Sequence, residues 1–115
     1  MNYIEFKVGS ETYKLRLGAR EVAQLEKKLG GNSPLSIFSG AEQNQMPELS
    51  KVLLILHASM VKLNNGIKEE DVYNIYDQYV EEGHSLTELI PVLVDIFKSA
   101  GLIPKDIDAE TETKN

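Results

Sequence analysis

The hydrophobic period of this chain changes once, and that change sets its architecture. From Tyr3 to Leu17 polar and apolar residues alternate. Ile4, Phe6 and Val8, and then Tyr13, Leu15 and Leu17, fall on one face; Tyr3, Glu5, Lys7, Thr12, Lys14 and Arg16 fall on the other. Two period-two runs around Gly9-Ser10-Glu11 predict a β-hairpin over about residues 3–17. A lone hairpin is marginal in water, so its apolar face must rest on another layer. From Arg20 onward the period is helical. The expected fold is therefore α+β, an N-terminal hairpin packed on a bundle of about four helices.

The helical part carries its own punctuation. Val22, Leu25 and Leu29 share a face over about residues 20–29, and Gly30-Gly31 supplies a stop. Ser33-Pro34 has the form of an N-cap followed by proline and opens a short turn, Leu35–Phe38. Ser39–Gln45 is polar and reads as a loop. Pro47 opens the most apolar helix, expected over about 47–63. Leu49, Val52, Leu53, Leu56, Met60 and Leu63 form its main stripe, Leu54, Ala58 and Val61 a second side, and Ile55 lies alone on the flank. A helix apolar on more than one side is central to its fold or part of a subunit contact.

Asn64-Asn65-Gly66 ends that helix, and the next spans about 69–82. Glu69, Glu70 and Asp71 complement its dipole, Val72, Ile75, Tyr76 and Tyr79 form the core stripe, and Tyr73 and Val80 lie at the edge. The last helix covers about 85–100. It opens with Ser85 and Glu88 in capping-box spacing and carries Pro91 on its polar face. Lys105–Asn115 is polar and aperiodic. The chain thus divides into a single domain, 1–103, and a disordered, flexible tail, 104–115.

Composition narrows the function classes. With 12 Lys+Arg against 18 Asp+Glu the formal charge is -6, which opposes binding to nucleic acid or anionic lipid. There is no cysteine, hence no disulfide framework, thiolate metal site or cysteine nucleophile. The longest apolar run, Val52–Leu56, is far short of the roughly 20 residues of a membrane span, and the start of the chain lacks the pattern of a signal peptide.

Few side-chain patterns suggest chemistry. Gly83-His84-Ser85-Leu86 resembles the attachment site of peptidyl carrier proteins, which would make Ser85 a phosphopantetheine anchor. Carrier domains, however, are all-helical and continue for two further helices. Glu81-Glu82-Gly83-His84 has the Glu-x-x-His spacing of di-iron helices, but only one copy is present, where such sites need two plus two further glutamates. Aligning Gly66 with the invariant glycine of a calcium loop places Val61 and Leu63 at ligand positions. His57, inside the apolar helix, reads as a hydrogen-bonded packing residue. No catalytic residue, cofactor or metal site is expected, and the chain reads as a non-enzyme.

The order of elements suggests more than any motif. The hairpin Tyr3-Ile4-Glu5-Phe6-Lys7-Val8-Gly9-Ser10-Glu11-Thr12-Tyr13-Lys14-Leu15-Arg16-Leu17 precedes a helix ending Gln24-Leu25-Glu26-Lys27-Lys28-Leu29-Gly30-Gly31. A long apolar helix follows, and then Asn65-Gly66-Ile67-Lys68-Glu69-Glu70-Asp71-Val72. Over residues 3–100 this resembles the tail assembly chaperones of long-tailed (siphovirus-type) phages or prophages of Gram-positive bacteria. The resemblance implies a protein of the bacterial host cytoplasm that is not a component of the mature virion. Such a protein binds the tape-measure protein, keeps it soluble and helps recruit tail-tube protein. A ribosomal frameshift usually yields a longer form, of which this chain would be the short version. The partner surface is expected at Leu54, Ala58, Val61 and Tyr73, with the hairpin edges able to add a strand and homo-oligomerisation open. The alternatives are a carrier-like protein modified at Ser85 and an acidic protein-interaction module.

Overall fold

The computed structural model describes residues 3–106. Strands β1 (Ile4–Val8) and β2 (Glu11–Leu15) are followed by helix α1 (Ala19–Lys28) and 3-10 turns at Pro34–Phe38 and Ala41–Gln43. Helices α2 (Leu49–Met60), α3 (Glu69–Glu81) and α4 (Leu86–Ser99) complete the order. This is the expected α+β arrangement. The part of the expected tail beyond Asp106 lies outside the described residues, while Leu102 and Ile103 still pack on the core.

The hairpin is antiparallel, with Ile4 opposite Leu15 and Val8 opposite Glu11, which leaves Gly9-Ser10 as a two-residue turn. Gly9 has φ +62 and Ser10 does not have positive φ, the pattern of a II′ turn. The position also demands closeness. The Gly9 N–H donates to Glu82 Oε1 at 3.1 Å, and a Cβ there would run into Gln78 Nε2. The turn is thereby docked on the end of α3, and Phe6 packs on Tyr79 with ring centroids 5.4 Å apart. Phe6, Val8, Leu15 and Leu17 are all buried, so the alternating pattern found its helical layer.

Helices α1, α3 and α4 begin and end on local signals. At each start the carboxylate of the third helical residue accepts the N–H of the cap residue. Glu21 takes Gly18 at 3.1 Å, Asp71 takes Lys68 at 2.8 Å and Glu88 takes Ser85 at 3.0 Å. In α4 this makes the carboxylate arm of the expected box, and the Glu88 N–H goes to the Ser85 carbonyl. Each of these helices stops in a Schellman motif. Gly31 N–H reaches Glu26 O at 2.7 Å, His84 N–H reaches Tyr79 O at 3.2 Å and Leu102 N–H reaches Phe97 O at 2.9 Å.

Helix α2 uses neither device, and there the expected boundaries need correction. Its regular part is Leu49–Met60, not 47–63. Glu48 is extended at φ -66, ψ 130, so Pro47 leads in from outside the helix. Beyond Met60 the chain tightens into turns so that the Asn64 side chain can reach back to Met60 O (2.9 Å) and across to β2. Ile55, expected on the flank, is fully buried. One turn on, the Ser59 carbonyl accepts the Arg16 N–H at 2.7 Å, so the hairpin covers that side of the helix. Leu49 and Leu63, the ends of the predicted stripe, are exposed. Val52, Leu53, Ile55, Leu56 and Met60 are buried, each worth roughly 1.5–3 kcal/mol. A cap is worth about 1 kcal/mol, so packing rather than termini holds α2.

The segment expected to be a plain loop, Ser39–Gln45, contains the 3-10 turn Ala41–Gln43, closed by Asn44 in the left-handed region. Asparagine tolerates that conformation, and its N–H bonds Ala41 O at 3.1 Å.

Candidate partner surface

Leu54 and Ala58 on α2 and Val61 at its C-cap lie at i, i+4 and i+7, and the fold brings them together. With Leu25 they line a groove of about 110 Å³ between α1 and α2, flanked by Glu21, Gln24, Lys28 and His57. Leu54 and Ala58 are half-buried against α1, whereas Val61 is 40% exposed. Tyr73, the fourth expected residue, is exposed on α3 and takes no part in this groove. The groove has an apolar floor and a polar margin whose charges, Glu21 and Lys28, are opposite in sign.

His57 at the margin is a strut. Its Nε2 lies 3.2 Å from the Ile67 carbonyl. A carbonyl only accepts, so the proton sits on Nε2 and the bond ties α2 to the approach of α3.

A second apolar groove lies outside the expected partner surface. Phe38, Ala41, Met46, Pro47 and Ile90, with Asn44 and Gln45, line about 250 Å³ beside the 3-10 turns. Phe38 is held there by an edge contact with Phe97, centroids 5.8 Å apart. The signals in sequence were Phe38 and Met46-Pro47 bracketing a polar stretch, which periodicity cannot connect to Ile90 some fifty residues later. A wider concavity of about 570 Å³ lies between β2, the Asn64–Ile67 segment and α3. Its polar side chains include Asn64 and Asp71, both already committed, one to Lys14 and one to the α3 cap.

The Gly83-His84-Ser85 corner is built by the same local rules. Gly83 carries the left-handed turn at φ +97, and His84 stacks on Tyr79 with centroids 4.5 Å apart. Its Nδ1 donates to Glu88 Oε1 at 2.8 Å. That hydrogen bond, aided by the Ser85 N–H, holds the Glu88 carboxyl below the usual glutamate range. Burial pushes the Tyr79 phenol up, and the nearby Glu88 charge adds to it. Ser85 itself caps α4.

No cluster of three or more acidic or histidine side chains is close enough to hold a metal ion among the described residues. Nor, among them, is any helix long and apolar enough to cross a membrane.

Fold and surface together define a small α+β protein whose accessible features are grooves and edges. Residues 4–115 match the model of a family of unknown function, DUF6096, and the chain belongs to that family. No curated protein and no solved structure matches it significantly.

Proposed function

We propose that this chain is a non-catalytic tail assembly chaperone of a long-tailed phage or prophage, acting in the host cytoplasm. It binds the tape-measure protein, keeps that long apolar client soluble and helps recruit tail-tube subunits. The order of elements over residues 3–100 supports this through its resemblance to that family. The observation that carries it is the α1–α2 groove, in which Leu54, Ala58 and the exposed Val61 present apolar surface at helical spacing inside a polar margin. An amphipathic client helix docks on such a groove by its apolar face, and flanking charges of opposite sign fix its direction.

Co-expression with the tape-measure protein from the same genome tests the proposal. The two proteins should co-purify, and the client should be soluble only in the presence of this chain. Val61→Glu, at a position exposed enough to leave the fold intact, should release the client. A client whose solubility is indifferent to this chain would refute the chaperone role.

A further inference from the structure

The two outer edges of the hairpin differ. On β2 the Lys14 N–H donates to Asn64 Oδ1 at 3.1 Å, and Asn64 Nδ2 donates to the Lys14 carbonyl at 2.6 Å. The Arg16 N–H donates to the Ser59 carbonyl at 2.7 Å. This edge is closed at Lys14 and Arg16, and within β2 only Thr12 has outward groups without a hydrogen-bond partner among the described residues. These bonds also fix the phase of the ladder. Main-chain groups of Lys14 and Arg16 point away from β1, so the bonded pairs within the hairpin are Ile4–Leu15, Phe6–Tyr13 and Val8–Glu11. Glu5, opposite Lys14, and Lys7, opposite Thr12, therefore turn their N–H and C=O groups outward from β1.

Among the described residues nothing hydrogen-bonds the outward groups of Glu5 and Lys7. Both side chains are exposed. Unpaired main-chain groups shut away from water would be costly, so no described residue closes this edge.

We infer that the β1 edge pairs with the β1 edge of a second copy of this chain, forming a two-fold dimer with a continuous four-stranded antiparallel sheet. The charge pattern selects both occupant and register. Two β1 strands can meet antiparallel with Phe6 opposite Phe6, which overlaps Ile4–Val8 completely. That register sets Glu5 against Lys7 of the other copy, and Lys7 against its Glu5. These are the residues whose main-chain groups point outward, so each such pair can exchange two main-chain bonds. Slipping by one bonded pair in either direction sets Glu5 against Glu5, or Lys7 against Lys7, and like charges directly opposite repel. Beyond the seam, Glu5 also neighbours Lys14 within its own hairpin, so charge alternates across the solvent face of the joined sheet. This pairing is separate from the α1–α2 groove, so client binding and dimerisation can fail independently.

Sedimentation of the full chain across a range of concentrations tests it. The wild type should show a reversible monomer–dimer equilibrium. Glu5→Lys and Lys7→Glu should each weaken association on the order of tenfold or more, because each converts both cross-strand pairs to like charges. An equimolar mixture of the two variants should associate again, since each then meets opposite charge. The double variant Glu5→Lys/Lys7→Glu should also recover dimerisation, which separates loss of pairing from loss of fold. In the wild-type dimer the Glu5 and Lys7 amides should exchange hydrogen more slowly as concentration rises. A wild type that stays monomeric overturns the proposal and leaves the edge to a foreign strand. Dimers insensitive to the single reversals, or a variant mixture that stays monomeric, overturn it equally.

Discussion

Replacing Asn64 by alanine frees the Lys14 main-chain groups of the β2 edge, and the cost can be worked from the contacts that Asn64 makes. The side chain makes three bonds, from the Lys14 N–H (3.1 Å) and to the carbonyls of Lys14 (2.6 Å) and Met60 (2.9 Å). A hydrogen bond contributes a net of about 0.5–1.5 kcal/mol, so three would sum to roughly 3 kcal/mol if their partners were left dry. Lys14 is exposed, and water can replace the amide at the strand edge. The expected loss is therefore about 1–2 kcal/mol. Asn64→Asp is the sharper control. It retains an acceptor for the Lys14 N–H but turns an anion toward two carbonyl oxygens, so it should cost more than alanine, and part of the excess should vanish in acid. Urea unfolding followed by circular dichroism measures both variants. An alanine variant within about 0.5 kcal/mol of wild type, the range of ordinary surface changes, would refute this account of the edge. If β1 edges also pair as inferred, the opened β2 edge gives each subunit two pairing surfaces, and the variant should form species larger than dimers.

Two further outcomes follow from the hairpin turn and the α3–α4 corner. Gly9→Ala meets both a left-handed φ and the Gln78 side chain, and should cost about 1–3 kcal/mol in equilibrium unfolding; a neutral result would mean that the turn is not held against α3. Because the Glu88 carboxyl sits below its unfolded value, it contributes stability above the ordinary glutamate range, and that contribution is lost as pH falls through the folded value. Glu88→Gln should flatten the acid limb of a plot of thermal midpoint against pH. Identical acid limbs in the two proteins would show that the His84–Glu88 contact contributes nothing to stability.

Elements that end on local chemistry were legible in the sequence. Gly30-Gly31, Gly83 and Gly101 terminate their helices as glycine must where the backbone turns left-handed. Glu21, Asp71 and Glu88 cap the starts, and α1, α3 and α4 lie within a residue or so of the expected 20–29, 69–82 and 85–100. Pro47 and Asn64-Asn65-Gly66, the signals that bound α2 in the sequence, both lie outside its regular part, so the expected span is too long at both ends. Of the candidate surface, Leu54, Ala58 and Val61 could be placed on one side of a helix by counting. Their enclosure against Leu25 could not, because it depends on how α1 lies across α2.

The sequence by itself determined the hairpin, its two faces, the number of helices and most of their ends, because those follow from periodicity and from contacts within a few residues. Only the tertiary structure decided that Ile55 is core, that Phe38 and Ile90 share a groove, and that Lys14 and Arg16 on one hairpin edge are bonded while, among the described residues, Glu5 and Lys7 on the other are not. Each of these depends on residues far apart in the chain. Asn64 reaches Lys14 across fifty positions because packed layers bring the end of α2 alongside β2, and that proximity leaves no local trace in the sequence.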